Sequence, residues 1–130
     1  MELVIPPLAA ELPAVRHAAE RVLEGVPDEV AGDVLVALGE AVGNAIRHGS
    51  RAGGPIRVVV KVEDGWVKAS VRDQGPTPRP PELPDDPPAP LALGGRGLWM
   101  ILQLADEVQL THEGEGTVLD LRRRIGRPGR

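Results

Sequence analysis

Residues 34–49 read VLVALGEAVGNAIRHG, and this stretch combines a helical apolar pattern with a regular row of polar residues. Its apolar residues recur every three or four positions, which places them on one wide face that points at a core. The preceding Pro27-Asp28-Glu29 suits a first helical turn, because proline is tolerated there and carboxylates stabilise the positive end of the helix dipole. We therefore predict a long helix from about Pro27 to His48, with Gly49 just past its end.

Three polar residues of this helix, Glu40, Asn44 and His48, follow one another at four-residue intervals. That spacing puts them in one row, which borders the apolar face instead of lying opposite it. A side chain at such a border can face a cleft, where a carboxylate accepts a proton from a hydroxyl and an amide oxygen binds Mg²⁺. The row alone also fits ordinary boundary residues of a helix, and that alternative stays open.

The segments around the long helix predict an α+β protein. Residues 2–5 can form a short strand, and residues 8–23 have helical spacing. After the long helix the period changes from 3.6 to 2 in residues 56–63 and 67–72. Between these two runs lies Asp64-Gly65, a favoured two-residue turn, so they predict an antiparallel hairpin.

The second half of the chain contains a loop, a short helix and another hairpin. Residues 75–90 hold eight of the fourteen prolines, too many for a helix or a central strand. A short apolar helix follows at 98–104, and residues 108–111 and 117–123 predict the second hairpin. The order β-α-α-β-β-loop-α-β-β predicts a two-layer sandwich, with helices on one face of a mostly antiparallel, mixed sheet.

Three further motifs have the chemistry of a nucleotide site. A strand ends in Asp73-Gln74-Gly75, where a carboxylate can accept hydrogen bonds from an exocyclic amine and glycine admits a flat ring. The stretch Gly94-Gly95-Arg96-Gly97-Leu98 opens the short helix and offers phosphates unpaired N–H groups and a guanidinium. Gly116-Thr117 starts the last strand with a hydroxyl that can reach a base. Taken singly, these motifs also fit an Asx-turn, a hinge and a turn glycine.

The order of these motifs is more specific than any one of them. None is a Walker A loop or a dinucleotide fingerprint. Glu-x-x-x-Asn-x-x-x-His-Gly, then Asp-x-Gly, a proline-rich loop, Gly-Gly-Arg-Gly-Leu and Gly-Thr resembles the GHKL ATPase superfamily. The short length and the N-terminal strand and helix are similar to its anti-sigma factor serine/threonine kinase (RsbW-like) branch. The resemblance covers about Glu2 to Leu121 and implies the Bergerat α/β sandwich.

The resemblance also implies a role for each motif. ATP and Mg²⁺ would be the cofactors, Asn44 would bind the metal, and Glu40 would be the general base that takes a proton from a partner serine or threonine. Residues 76–93 would form the ATP lid. The other residues implied to bind the nucleotide are His48, Asp73, Gly75, Gly94, Gly95, Arg96, Gly97, Leu98 and Thr117.

The implied function is that of an ATP-dependent kinase that phosphorylates a small anti-sigma-factor antagonist and sequesters a sigma factor, as a homodimer. Two features depart from the expected pattern: residues 74–78, QGPTP, are stiffer than a glycine-rich loop, and Arg96 is the one obvious cation of the phosphate loop. These two features leave open whether the protein turns over ATP. The alternatives are an ATP-binding regulatory module without phosphotransfer, the ATP-binding domain of a histidine kinase, and an interaction protein without a nucleotide site.

Composition sets the outer limits of the interpretation. At 130 residues we expect one domain, residues 1–124, followed by a frayed basic tail at 125–130. The net charge of -4 argues against binding to nucleic acids or anionic membranes. The absence of cysteine excludes disulfides and thiolate metal sites. With no signal segment and no apolar run of about 20 residues, we expect a cytoplasmic protein without membrane spans.

Overall fold

A computed structural model describes residues 1–49, 54–74, 83–86, 96–114 and 116–126. The strands are β1 (Glu2–Ile5), β2 (Ile56–Glu63), β3 (Trp66–Asp73), β4 (Glu107–Glu113) and β5 (Gly116–Arg124). The helices are α1 (Leu12–Val22), α2 (Asp28–Gly49) and α3 (Arg96–Leu104). The element order is therefore the order that the sequence predicts.

Differences from the predicted elements lie at their ends. A short 3₁₀ turn, Ala9–Glu11, precedes α1, which begins at Leu12 and not at Leu8. Proline in the first turn explains this start, since Pro13 has no N–H to donate and its fixed φ suits that position. Helix α3 begins at Arg96, two residues earlier than expected, so that Gly97 lies in its first turn.

The five strands form one sheet in the order β1-β2-β3-β5-β4. All four pairings are antiparallel, so the described sheet is more regular than the mixed sheet of the prediction. The register between β3 and β5 pairs Asp73, the last residue of β3, with Thr117 near the start of β5. Two motifs that are 44 residues apart in the chain are therefore neighbours.

The helices cover one face of this sheet. Helix α2 packs on β2, β3 and β5, and α1 and α3 pack against α2. The core between the layers is aliphatic and includes Leu38, Ile56, Ile101 and Leu121, each of which is nearly inaccessible to solvent. The predicted two-layer α+β sandwich is confirmed. None of the helices in the described ranges is long and apolar enough to cross a bilayer.

The other face of the sheet is lined by charged residues. The guanidinium of Arg122 lies 4.6 Å and that of Arg124 lies 4.5 Å from the centre of the Trp66 ring, both in cation–π contact. Lys68 donates a hydrogen bond to Glu63 at 3.0 Å and lowers the pKa of this exposed carboxyl. A face of this kind suits contact with water, and the buried valines of β2 and β3 lie on the opposite face, against the helix layer.

One arginine joins the two layers beside the start of α2. Arg123 of β5 forms an ion pair with Asp33 of α2 at 3.1 Å, and its guanidinium also lies 3.5 Å from Asp106. The backbone N–H of Arg124 donates to the same Asp106 carboxylate at 2.6 Å. Because the Arg123 side chain is only 20% exposed, this contact is less screened than a surface pair and fixes how α2 lies on the sheet.

The predicted segment boundaries are only partly covered by the description. Of the proposed lid, residues 76–93, only 83–86 are described. At the C-terminus the backbone N–H of Ile125 donates to the carbonyl of Gly65 at 2.9 Å, which keeps the chain against the β2–β3 turn. Residues 127–130 of the predicted tail lie outside the described residues.

Candidate functional site

Asp73 and Thr117 form one side of the candidate site, where β3 ends and β5 begins. Their exposed fractions are 6% and 5%, and among the described residues they are the two polar side chains classed with the buried core. The backbone N–H of Thr117 donates to Oδ1 of Asp73 at 3.2 Å. A buried carboxylate is costly unless hydrogen bonds satisfy it, so this contact both holds Asp73 in the fold and orients it.

Gly116 allows this close approach of β5 to β3. A Cβ atom at residue 116 would lie 2.4 Å from the carbonyl oxygen of Asp73, a distance that no side chain tolerates. On the far side of Thr117, its hydroxyl lies 3.5 Å from Nδ1 of His112. The Gly-Thr pair that the sequence marks as a candidate motif is therefore also a packing requirement of the sheet.

Glu40, Asn44 and Gly97 form the other side of the candidate site. Glu40 and Asn44 lie one turn apart on α2, both half-buried, and the first turn of α3 passes beside them. A Cβ atom at residue 97 would lie 2.8 Å from Oε2 of Glu40 and 3.3 Å from Nδ2 of Asn44. A carboxylate and a carboxamide thus converge on a helix N-terminus, whose first N–H groups have no partner within the helix and whose positive dipole favours anions.

The carboxamide of Asn44 is only partly satisfied. Its Oδ1 accepts a hydrogen bond from the guanidinium of Arg47, three residues further along α2. Its Nδ2 is buried and has no hydrogen-bond partner among the residues that the structure describes. A buried donor without a partner costs about 1–3 kcal/mol, and such groups mark places where a ligand completes the structure.

Arg47 is a residue of this site that the sequence analysis did not identify. It is exposed, and its side chain folds back across Gly43, where an added Cβ would lie 3.4 Å from Nη1. The available signal was the three-residue spacing from Asn44, which brings side chains together on one helix face. That signal is weak, since an exposed arginine on a helix usually points into solvent.

The two sides meet in one small cavity between α2, α3 and the sheet. Its volume is about 20 Å³, and the residues that line it are Ala41, Asn44, Ala45, Val71, Asp73, Leu98, Leu110, Thr117 and Leu119. Asn44 and Asp73 therefore face the same space. A cavity of this volume holds about one water molecule, so a purine ring enters only if the surrounding side chains move apart.

The structure brings together six of the predicted site residues, and the other five lie outside the described part of the chain, entirely or by their side chains. Glu40, Asn44, Asp73, Gly97 and Thr117 lie at the cavity or beside it, and the buried Leu98 lines it as well. The predicted residues outside the described ranges are Gly75, Gly94 and Gly95. The side chains of His48 and Arg96 also lie outside the described part of the structure.

Comparison with protein families gives a result that agrees with this arrangement. A family model described as the histidine kinase-like ATPase domain matches residues 5–123. The chain belongs to this family. Its members are ATP-binding domains of the GHKL type, so the chain is an ATP-binding module. A search of curated protein sequences finds no match.

Solved structures show where else this histidine kinase-like ATPase fold occurs. The crystal structure of the RsbU and RsbW domains of Rv1364c from Mycobacterium tuberculosis matches with a TM-score of 0.74 and 26% identity over 100% of this chain. The chain spans only 33% of that structure's length. The histidine kinase domain of the Erythrobacter litoralis EL346 blue-light activated histidine kinase matches with a TM-score of 0.59 and 24% identity, over 93% of this chain and 62% of that one.

A more distant structure shares the fold with still lower identity. Acinetobacter baumannii histidine kinase AdeS matches with a TM-score of 0.55 and 16% identity, over 98% of this chain and 68% of that one. Both histidine kinases are less than 25% identical to the chain and so show the fold alone. Together with the family match, they confirm the predicted GHKL-type sandwich.

Proposed function

We propose that this histidine kinase-like ATPase domain transfers the γ-phosphoryl group of ATP to a serine or threonine hydroxyl of a small partner protein. The observation that carries the proposal is the position of the Glu40 carboxylate, beside Asn44 and against the first turn of α3. A helix N-terminus is suited to bind phosphates. A carboxylate next to it is within reach of a hydroxyl that approaches the terminal phosphate.

In this proposal adenine binds at the side of the cavity formed by Asp73 and Thr117, the base side. The Asp73 carboxylate accepts a hydrogen bond from the exocyclic amine, and the Thr117 hydroxyl assists it directly or through water. The buried position of Asp73 supports this role, because a hydrogen bond in a dry site discriminates strongly between ligands that do and do not complete it. The side chain of Leu98 packs against the nucleotide from α3.

The side of the cavity formed by Glu40, Asn44 and Gly97, the phosphate side, has a suitable ligand atom for Mg²⁺. Among the described residues no group of three or more His, Cys, Asp or Glu side chains can hold a metal ion. Mg²⁺ commonly takes one or two protein ligands and completes its shell with phosphate oxygens and water, so the amide oxygen of Asn44 fits this requirement. When bound, Mg²⁺ would neutralise charge on the phosphates.

The proposed reaction assigns the proton to Glu40. The partner's hydroxyl oxygen forms a bond to the γ-phosphorus as the bond from that phosphorus to the β–γ bridging oxygen breaks. The hydroxyl proton passes to the Glu40 carboxylate, and the products are ADP and a phosphorylated partner. The N–H groups of the first turn of α3 hold the phosphates in line, and most of the catalysis comes from this positioning and from charge stabilisation.

The proposed partners are a small anti-sigma-factor antagonist, which is phosphorylated, and a sigma factor, which is sequestered. Support comes from the match to a structure that contains an RsbW domain, the highest TM-score among the structures compared above. Phosphorylation of the antagonist would then change which of the two partners the domain holds. The expected homodimer stays a prediction.

Phosphotransfer with labelled ATP tests the proposal. Wild-type protein is incubated with Mg-ATP and each small antagonist candidate from the same genome, and Glu40→Gln is the matched variant. We expect acid-stable label on a partner serine or threonine, and a loss of roughly 10²–10⁴-fold with Glu40→Gln while ATP affinity is nearly kept.

The outcomes separate the alternatives. ATP binding without transfer to any candidate contradicts the kinase proposal and supports a regulatory module. Acid-labile label on a histidine supports the histidine kinase alternative. Equal transfer by wild type and Glu40→Gln contradicts the role of Glu40.

A further inference from the structure

We propose that Arg47 competes with the metal ion for the side-chain oxygen of Asn44, so that metal binding requires the guanidinium to leave. This inference rests on the proposed Mg-ATP site and adds a residue that sets the metal dependence of nucleotide binding. The motifs implied by family resemblance do not include Arg47. The contact that suggests it is the hydrogen bond from the Arg47 guanidinium to Oδ1 of Asn44.

The side-chain oxygen of Asn44 is poorly suited to contact the Arg47 guanidinium and a metal ion at the same time. The carboxamide oxygen has two lone pairs, and the Arg47 guanidinium donates to one of them in this structure. Rotating the Asn44 amide by half a turn does not preserve the contact with Arg47, because it would place the N–H₂ donors against the donors of the guanidinium. A guanidinium and a divalent cation on the same oxygen also repel each other at short range. This repulsion sets the Arg47 contact and the metal contact against each other.

Arg47 is placed so that it can leave. Its side chain is exposed, so release from Asn44 loses almost no buried apolar area. Gly43 provides the open surface over which the side chain folds back, and a larger residue there would crowd Nη1. Among the described residues Nδ2 of Asn44 has no hydrogen-bond partner, so no second hydrogen bond within this part of the chain holds the amide in its orientation toward Arg47.

The consequence is a coupling between Arg47 and the metal. Replacing Arg47 removes the competitor, so a metal ion should then contribute more to ATP affinity. Replacing Arg47 would also raise the metal's contribution to ATP affinity if the guanidinium lay near the phosphates of bound ATP, because its charge would then partly substitute for the metal. The two explanations differ in one respect: only competition for the side-chain oxygen of Asn44 requires that residue.

Calorimetric titration with ATP, in excess Mg²⁺ and in EDTA, measures this coupling. The ratio of the dissociation constant in EDTA to that in Mg²⁺ is compared for wild type, Arg47→Met, Asn44→Ala and the double variant. We expect Arg47→Met to raise the ratio by about threefold to tenfold, and the same substitution to have no effect on the ratio in the Asn44→Ala background. Arg21→Met, an exposed arginine of α1, is the charge-matched control and should leave the ratio unchanged.

Three results would overturn the inference or its basis, and they are distinguishable. An unchanged ratio in Arg47→Met, with normal ATP binding by wild type, rejects the competition. An equal rise with and without Asn44 assigns the effect to the phosphates and also rejects it. No ATP binding by wild type rejects the proposed nucleotide site itself. Asn44→Ser provides a second background if Asn44→Ala does not fold.

Discussion

The two sides of the cavity differ in how completely the folded protein satisfies their hydrogen-bonding groups. On the base side, the Asp73 carboxylate is buried and accepts a hydrogen bond from the backbone of Thr117. On the phosphate side, Asn44 has a buried donor without a partner in the described part of the chain, and its oxygen accepts a hydrogen bond from the exposed Arg47. The base side is fixed by strand register, whereas the phosphate side depends on side chains that a ligand must complete.

This difference separates two kinds of mutational effect. Changes on the base side disturb contacts that the folded sheet needs, so they should alter stability and binding together. Changes on the phosphate side remove groups that the fold does not satisfy, so they should reduce function while stability stays constant or rises. Polar groups kept for a ligand commonly lower the stability of the free protein.

The largest effect is expected for Gly116→Ala, which tests the base side. The added Cβ would lie 2.4 Å from the Asp73 carbonyl oxygen, so β5 must move away from β3 and the Thr117–Asp73 hydrogen bond is lost. We expect the free energy of unfolding in urea to fall by about 2–3 kcal/mol, with loss of ATP binding.

The matched control for this variant is Gly39→Ala on the exposed face of α2. An added Cβ at residue 39 has nothing within 4 Å, so we expect a gain of about 0.5–1 kcal/mol from the better helix former. If Gly116→Ala were as stable as Gly39→Ala, β5 would not be packed against Asp73 as described.

Asp73→Asn sharpens the assignment of the base side. The amide oxygen can still accept from Thr117, but an N–H₂ group replaces a carboxylate oxygen and opposes the exocyclic amine of adenine. We expect ATP affinity to fall by about 30- to 100-fold. The measurement is calorimetry with ATP and with inosine triphosphate, in which a carbonyl oxygen replaces the amine. Wild type should prefer ATP, and the variant should lose that preference; an unchanged preference would remove Asp73 from base recognition.

Gly97→Ala tests the phosphate side without disturbing the fold. The new methyl group would lie 2.8 Å from Oε2 of Glu40, the end of a flexible side chain that can turn away. We expect the free energy of unfolding to change by less than about 0.5 kcal/mol, because the site is in the first turn of α3. Phosphotransfer should fall by about 10- to 100-fold, since Glu40 is displaced. A large loss of stability would show that Gly97 serves the fold instead of the site.

Asn44→Ala should give a small change in stability whose sign is characteristic. It removes a buried donor that has no partner among the described residues and introduces the best helix former, so we expect a gain of about 1 kcal/mol in the free energy of unfolding. Gln103→Ala in α3 is the control, because an exposed amide should change stability by no more than about 0.5 kcal/mol. A loss of stability in Asn44→Ala would mean that the fold, and not a ligand, uses this amide.

The fold was predictable because hydrophobic period and turn residues indicate the same elements. The apolar stripe of α2 and the alternation of β2 and β3 around Asp64-Gly65 are local patterns, and local patterns are readable in a sequence. The exact starts of α1 and α3 were not predicted. Both depend on how the first turn fits the preceding chain, which is the least certain feature of a sequence pattern.

The candidate site was predictable in outline but not in its contacts. The order of motifs indicates Glu40, Asn44 and Asp73, yet the hydrogen bond to Asp73 follows from the register of β3 and β5, which no single motif specifies. Arg47 was missed because its contact with Asn44 depends on a side-chain rotamer and on the space above Gly43. Rotamers of exposed arginines are not encoded in sequence periodicity.

The most direct test of the central proposal is whether one nucleotide contacts both sides of the cavity. Backbone amide shifts of Thr117 and Gly97 report the two sides separately in an NMR titration. We predict that Mg-ATP shifts both amides with the same midpoint and that adenosine shifts Thr117 alone. Shifts at only one of the two amides with Mg-ATP, or shifts at both with clearly different midpoints, would contradict a single shared site.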